Sequence, residues 1–127
     1  MSQRGVLLFA HGARDPRWAE PFEAVARRVR AADPARPVQL AVLELMRPTL
    51  REAGELLVAA GCTRIDVVPL FLGAGGHVRK DLPALLAELS AAHPAVQWQL
   101  QRAIGEIDSV IDAMARAALQ LSDAANR

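Results

Sequence analysis

The chain has 127 residues, 52% of them hydrophobic and 23% charged, with a formal net charge of +1. This balance excludes a disordered segment, a polybasic nucleic-acid binder and a charged membrane-surface protein, and it fits one folded domain over residues 1–127. The single cysteine, Cys62, excludes an internal disulfide and a CxxC site; the apolar stretch before His11 is too short for a signal sequence or a membrane span, so a cytoplasmic protein is expected.

"GVLLFA" (residues 5–10) is a continuous apolar run of the kind buried on both faces of a sheet, and it predicts the first strand. Asp15 and Pro16 supply a cap and a first helical position. Trp18, Phe22, Val25, Ala26 and Val29 then recur at helical spacing, with Pro21 moving the helix start to about Glu20. "PVQLAVLEL" (37–45) predicts the second strand. Pro48 opens the second helix, Leu50, Ala53 and Leu57 mark its inner face, and Gly61 stops it. "RIDVVPLFL" (64–72) predicts the third strand, with Pro69 signalling an irregularity near its end. Leu82, Leu85, Leu86 and Leu89 define a third helix, and "AVQWQLQ" (95–101) alternates as an edge-like fourth strand. Ile107, Val110, Ile111, Met114 and Leu121 share one stripe of a fourth helix, and the tail from about residue 122 is expected to fray.

This alternation predicts an α/β fold: a four-stranded, mostly parallel sheet with helices on both faces, in flavodoxin-like order with strand 1 between strands 2 and 3. In such sheets ligands bind beyond the carboxyl ends of the strands, where the order reverses. His11 follows strand 1, His77 follows strand 3, and Glu44 ends strand 2 on the same rim, whereas His93 belongs to the opposite edge. A single loop histidine is an ordinary surface residue and a single strand-end carboxylate an ordinary cap. Their shared rim is what makes them a candidate site.

"GAGGH" (73–77) does not have the GxxxxGK[ST] form of a phosphate loop, and it follows the third strand rather than the first, unlike a dinucleotide fingerprint. Glycines here either form a plain turn or let a flat ligand approach the backbone. Two or three nitrogen and oxygen ligands suit Co²⁺, Fe²⁺ or Ni²⁺ and are too few for a permanent structural zinc site. An ion held so incompletely is one that can be handed on. Arg14, Arg17, Arg47, Arg79 and Lys80 fall in the segments after strands 1 to 3, and this local basic crowding suits a polycarboxylate.

"AHGARDPR", "LELMRPTL" and "VVPLFLGAGGHVRKDLP", in this order over essentially the whole chain, resemble the short sirohydrochlorin chelatases, the CbiX-like group of class II chelatases. The resemblance implies one chelatase-like half of flavodoxin-like fold. It implies insertion of Co²⁺, or alternatively Fe²⁺ or Ni²⁺, into sirohydrochlorin, a flat polycarboxylate tetrapyrrole of cobalamin and siroheme biosynthesis. No prosthetic group is implied, because the metal is a substrate. By position, His11 matches the metal ligand and proton acceptor, His77 the second metal-binding histidine, and Glu44 an acidic position in the same cleft, a catalytic candidate as ligand, relay or second proton acceptor. Leu72, Gly73, Ala74, Gly75, Gly76 and His77 match the segment lying against the macrocycle, Arg47 matches a substrate contact, and Arg14 joins it from the basic rim. A half of this length implies a homodimer. Two positions depart from the family pattern: Ala13 stands where serine is common, and Arg47 where an acidic residue is frequent. A non-catalytic metal or tetrapyrrole carrier is the alternative reading. A histidine-dependent phosphatase is disfavoured because Ala10, not arginine, precedes His11, and a receiver domain lacks its acidic cluster and phosphoacceptor.

Overall fold

The computed structural model describes residues 3–73 and 75–124, and the side chains of residues 76–79 lie outside that description. The chain runs β1 (Gln3–Ala10), a 3₁₀ turn (Pro16–Ala19), α1 (Glu20–Ala32), β2 (Val38–Val42), α2 (Leu50–Ala59) and β3 (Cys62–Pro69). It continues through α3 (Gly76–Ala92), β4 (Gln97–Leu100), a second 3₁₀ turn (Ile104–Glu106) and α4 (Asp108–Ala124). The sheet order is β2-β1-β3-β4 and all its pairs are parallel, so strand 1 does lie between strands 2 and 3.

β1 is central, and its apolar run is divided between the faces. Leu7 and Phe9 meet α2 and α3 in the larger core with Ile65, Leu57 and Leu89, while Leu8 meets Ala26 of α1 on the other side. Those five residues of the larger core are fully buried, and each such burial is worth roughly 1.5–3 kcal/mol, so the α2/α3 face carries most of the packing. The α1 face has one helix over it and a much smaller cluster.

Where boundaries differ from expectation, local chemistry explains them. β3 stops at Pro69 rather than Leu72. Gln101 N–H bonds to Val67 C=O on the β4 side and Leu70 N–H to Phe9 C=O on the β1 side, so the donor that Pro69 lacks faces the β4 side, past the last β4 residue. β2 ends at Val42 because the chain then makes an excursion, with Leu45 at φ +67°, before Pro48 C=O returns to accept from Val42 N–H at 2.9 Å. α2 begins at Leu50, not Pro48. Thr49 and Glu52 form a capping box, each side chain accepting from the other's backbone N–H, and "TLRE" was a readable signal for it. Gly61, at φ +93°, follows the end of that helix as expected.

α4 is the element that the fold leaves over. Its described contacts are chiefly with the preceding 3₁₀ turn, and it buries no residue. The stripe that sequence periodicity marks as a packing face is open, with Ile111 47%, Met114 40% and Leu121 73% exposed.

Candidate functional site

The site is built where β1 and β2 end. Ala10 C=O accepts from Leu43 N–H at 3.0 Å and His11 C=O from Glu44 N–H at 3.2 Å, so the two segments leave the sheet tied together. Gly12 makes that approach possible. It sits at φ +101°, and a Cβ on it would lie 1.9 Å from the carbonyl oxygen of Glu44. The His11 imidazole stands with Nδ1 at 3.8 Å from Glu44 Oε1, and the two side chains are 53% and 55% exposed. Behind the imidazole is the buried ring of Phe71, with centroids 6.2 Å apart at 69°, and Phe71 in turn stands edge-on to Phe9 of the core at 6.0 Å. One side of the histidine is thus backed by the fold and the other is open to an incoming ion or flat ligand.

The segment after β3 borders this pair, because Leu70 N–H bonds to Phe9 C=O at 2.7 Å and carries β3 alongside β1 to its end. Leu72 is exposed. Gly105 N–H bonds to Phe71 C=O, and a Cβ on Gly105 would lie 2.1 Å from Leu72 O, so the 3₁₀ turn clamps the loop from behind. Gly73 and Gly75 are different: neither has a positive φ, and among the described residues a Cβ on either meets nothing within 4 Å. Neither backbone conformation nor packing among the described residues requires glycine there. Ala74 lies outside the described residues. Gly76 opens α3 and His77 follows it in the first turn, so His77 belongs to a helix start and not to a loop; its side chain lies outside the description.

The basic rim is only partly available. Arg14 is exposed, with no ion-pair partner among the described residues. Arg17 is held by Asp15 at 3.0 Å, and that contact keeps the Asp15 carboxyl below its ordinary range. Arg47 is bound in bidentate fashion by Glu52, and the guanidinium, helped by Thr49 N–H, holds the Glu52 carboxyl down at about 2. Arg47 also borders a cavity of about 310 Å³ between α1 and β2. The structure therefore brings His11 and Glu44 together, sets Gly73 and Gly75 in open space, and pairs Arg47 with α2. Among the described residues no group of three or more His, Cys, Asp or Glu side chains could hold an ion. Gly12, Phe71 and Gly105 were missed by sequence reasoning, since their roles arise from contacts between distant segments.

The exposed histidine–carboxylate pair lies at the carboxyl ends of the strands of a parallel α/β sheet, the rim on which open sheets of this class bind their ligands. The chain belongs to the CbiX family, whose family model matches residues 5–121. It is 35% identical over 81 residues to the sirohydrochlorin cobaltochelatase of Methanopyrus kandleri, covering 64% of this chain and 57% of that one. It is 27% identical over 112 residues to the sirohydrochlorin ferrochelatase of Bacillus subtilis, covering 88% of this chain and 43% of that one. The chain thus spans less than two thirds of either relative. A solved CbiX protein structure from Marinobacter aquaeolei VT8 superposes with a TM-score of 0.84 at 32% identity, covering 94% of this chain and 98% of that one.

Proposed function

We propose that this chain is a sirohydrochlorin chelatase that inserts Co²⁺, with Fe²⁺ and Ni²⁺ as competing ions, into the metal-free tetrapyrrole in the cytoplasm, toward cobalamin or siroheme. The observation that carries this reading is the His11–Glu44 pair, 3.8 Å apart and more than half exposed, beside glycines whose missing side chains leave clearance. Family membership and the names of the relatives support it, and those names divide between cobalt and iron.

In this reading the macrocycle lies flat over Leu72 to His77, with Gly73 and Gly75 setting how closely it approaches. Its carboxylates are met by Arg14 and by Arg47, whose orientation Glu52 sets. His11 and His77 hold the ion as neutral imidazoles. Insertion breaks two pyrrole N–H bonds as two metal–nitrogen bonds form, and two protons leave. His11 Nδ1 faces Glu44, so Nε2 is the nitrogen offered to the ion. Once the ion has moved into the ring, the vacated Nε2 accepts one pyrrole proton and solvent water takes the other, and Glu44 stabilises the resulting imidazolium or relays its proton to solvent. In this reading two copies of the chain pair.

The test is an anaerobic insertion assay with sirohydrochlorin and each ion, following the absorbance change of the macrocycle. Wild-type protein is expected to exceed a His11→Ala, His77→Ala double variant by at least about 100-fold. Equal rates would refute the reading, and stoichiometric binding without turnover would favour a carrier.

A further inference from the structure

The outer edge of β2 is sealed at both ends and open in the middle. Pro37 C=O and Leu43 N–H bond inward to β1, whereas Val38 C=O and Val42 N–H point outward. Val38 C=O accepts from the Arg30 guanidinium at 2.9 Å, and Val42 N–H donates to Pro48 C=O, also at 2.9 Å. In a parallel ladder Leu40 shares the parity of Val38 and Val42, so its N–H and C=O face outward too, and no described group bonds to them there. Between the two seals lies the cavity of about 310 Å³, which Leu40 helps to line.

The helix across this groove brings charge to it. Glu23, Arg27 and Arg30 recur at steps of four and three and share the face of α1 that lines the cavity. Arg27 has no ion pair or hydrogen bond among the described residues. Arg30 is anchored by Val38 and keeps further N–H donors. Arg47, toward the carboxyl end of β2, is already occupied by Glu52. The surface between these groups is apolar, formed by Ala19, Ala26, Val42 and Met46.

We propose that this groove is a second binding site, for a small organic carboxylate. The carboxylate is met by the guanidinium groups of Arg27 and Arg30, and the apolar body of the ligand lies over Ala26 and Met46. Leu40 N–H and C=O offer it one donor and one acceptor that the sheet leaves unused. The apolar surface favours an organic body over a bare phosphate, and Glu23 is the one lining residue whose charge opposes an anion. The groove lies on the far side of β2 from β1 and His11, so the site is separate from the metal rim and independent of the chelatase reading.

Fluorine NMR of 4-fluorophenylacetate titrated into the full chain tests the site, with 4-fluorophenylacetamide as the uncharged counterpart and inorganic phosphate as competitor. The probe is expected to bind with a Kd of about 1 mM or tighter. Arg27→Gln changes an exposed side chain with no bond to lose, and it is expected to weaken binding at least about 10-fold. Glu23→Gln is expected to strengthen binding about 2-fold or more, because it removes the opposing charge. The amide should bind at least about 10-fold more weakly, and phosphate at equal concentration should leave the probe in place. His11→Ala should leave probe binding unchanged. No binding by about 10 mM, or affinity unaltered in Arg27→Gln or lowered in Glu23→Gln, overturns the site. Equal binding of the amide or displacement by phosphate overturns the ligand class, and loss of binding in His11→Ala places the probe on the metal rim, which also overturns the proposal.

Discussion

Gly12→Ala tests the claim that glycine after His11 is what lets the β1 and β2 ends close on each other. The added Cβ would stand 1.9 Å from Glu44 O, 3.0 Å from its carbonyl carbon and 3.3 Å from its nitrogen, all backbone atoms. To restore an ordinary contact, one of the two segments must move by about 1 Å, since real Cβ contacts essentially never fall below 3.0 Å. Alanine at φ +101° also carries conformational strain of about 1–3 kcal/mol, and moving the segments apart forfeits the Glu44 N–H to His11 C=O bond, worth about 1 kcal/mol. The expected loss is about 2–4 kcal/mol. For a chain of this size 1 kcal/mol corresponds to roughly 3–6 °C in Tm, so a fall of about 6 °C or more is expected in thermal unfolding followed by circular dichroism. Insertion at a temperature where the variant stays folded should fall as well, because the His11–Glu44 spacing depends on the same contact. A variant that melts within about 2 °C of wild type and inserts metal normally would refute the reasoning.

Gly73→Ala is expected to do the reverse. With open space around its Cβ, stability should hold or rise by up to about 1 kcal/mol, while insertion falls as the macrocycle is held off; loss of stability with normal insertion would contradict the proposed approach. Gly105→Ala should displace Leu72 and cost about 2 kcal/mol or more in urea unfolding, together with weakened substrate binding, although Gly105 contributes no side chain to the site. Glu52 is held at about 2 by Arg47, against an ordinary value of 4.5. A carboxyl lowered on folding stabilises above its unfolded value and loses that contribution as pH falls through its folded one. The Tm advantage of wild type over Glu52→Gln should therefore be full at pH 7 and shrink between about pH 4.5 and 2; an advantage unchanged across that window would contradict the assignment.

Much of this architecture was legible because it rests on periodicity. The run at residues 5–10 marked the central strand, and the alternation of strands and helices gave the observed order. The meeting of His11 and Glu44 followed from that order, since it sets the ends of β1 and β2 side by side. What stayed hidden depends on which surface meets which. "HG" carries no sign of Glu44 pressing against Gly12, and "IGE" none of Leu72 pressing against Gly105. Arg47 was counted on the rim, but the capping box two residues on positions Glu52 to hold it. The periodicity of α4 showed that the helix has an apolar face without showing whose surface covers it.

The central claim is that imidazoles from the end of β1 and the start of α3 hold one ion between them on an open rim. Its most direct test is a crystal structure of the full chain soaked with Co²⁺, read by anomalous scattering at the cobalt edge. The account predicts a single strong peak with nitrogen atoms of both His11 and His77 at about 2.0–2.2 Å and a side open to solvent, as for imidazole bound to a comparable divalent ion. A peak bound by neither histidine, or imidazoles too far apart to share one ion, would contradict it.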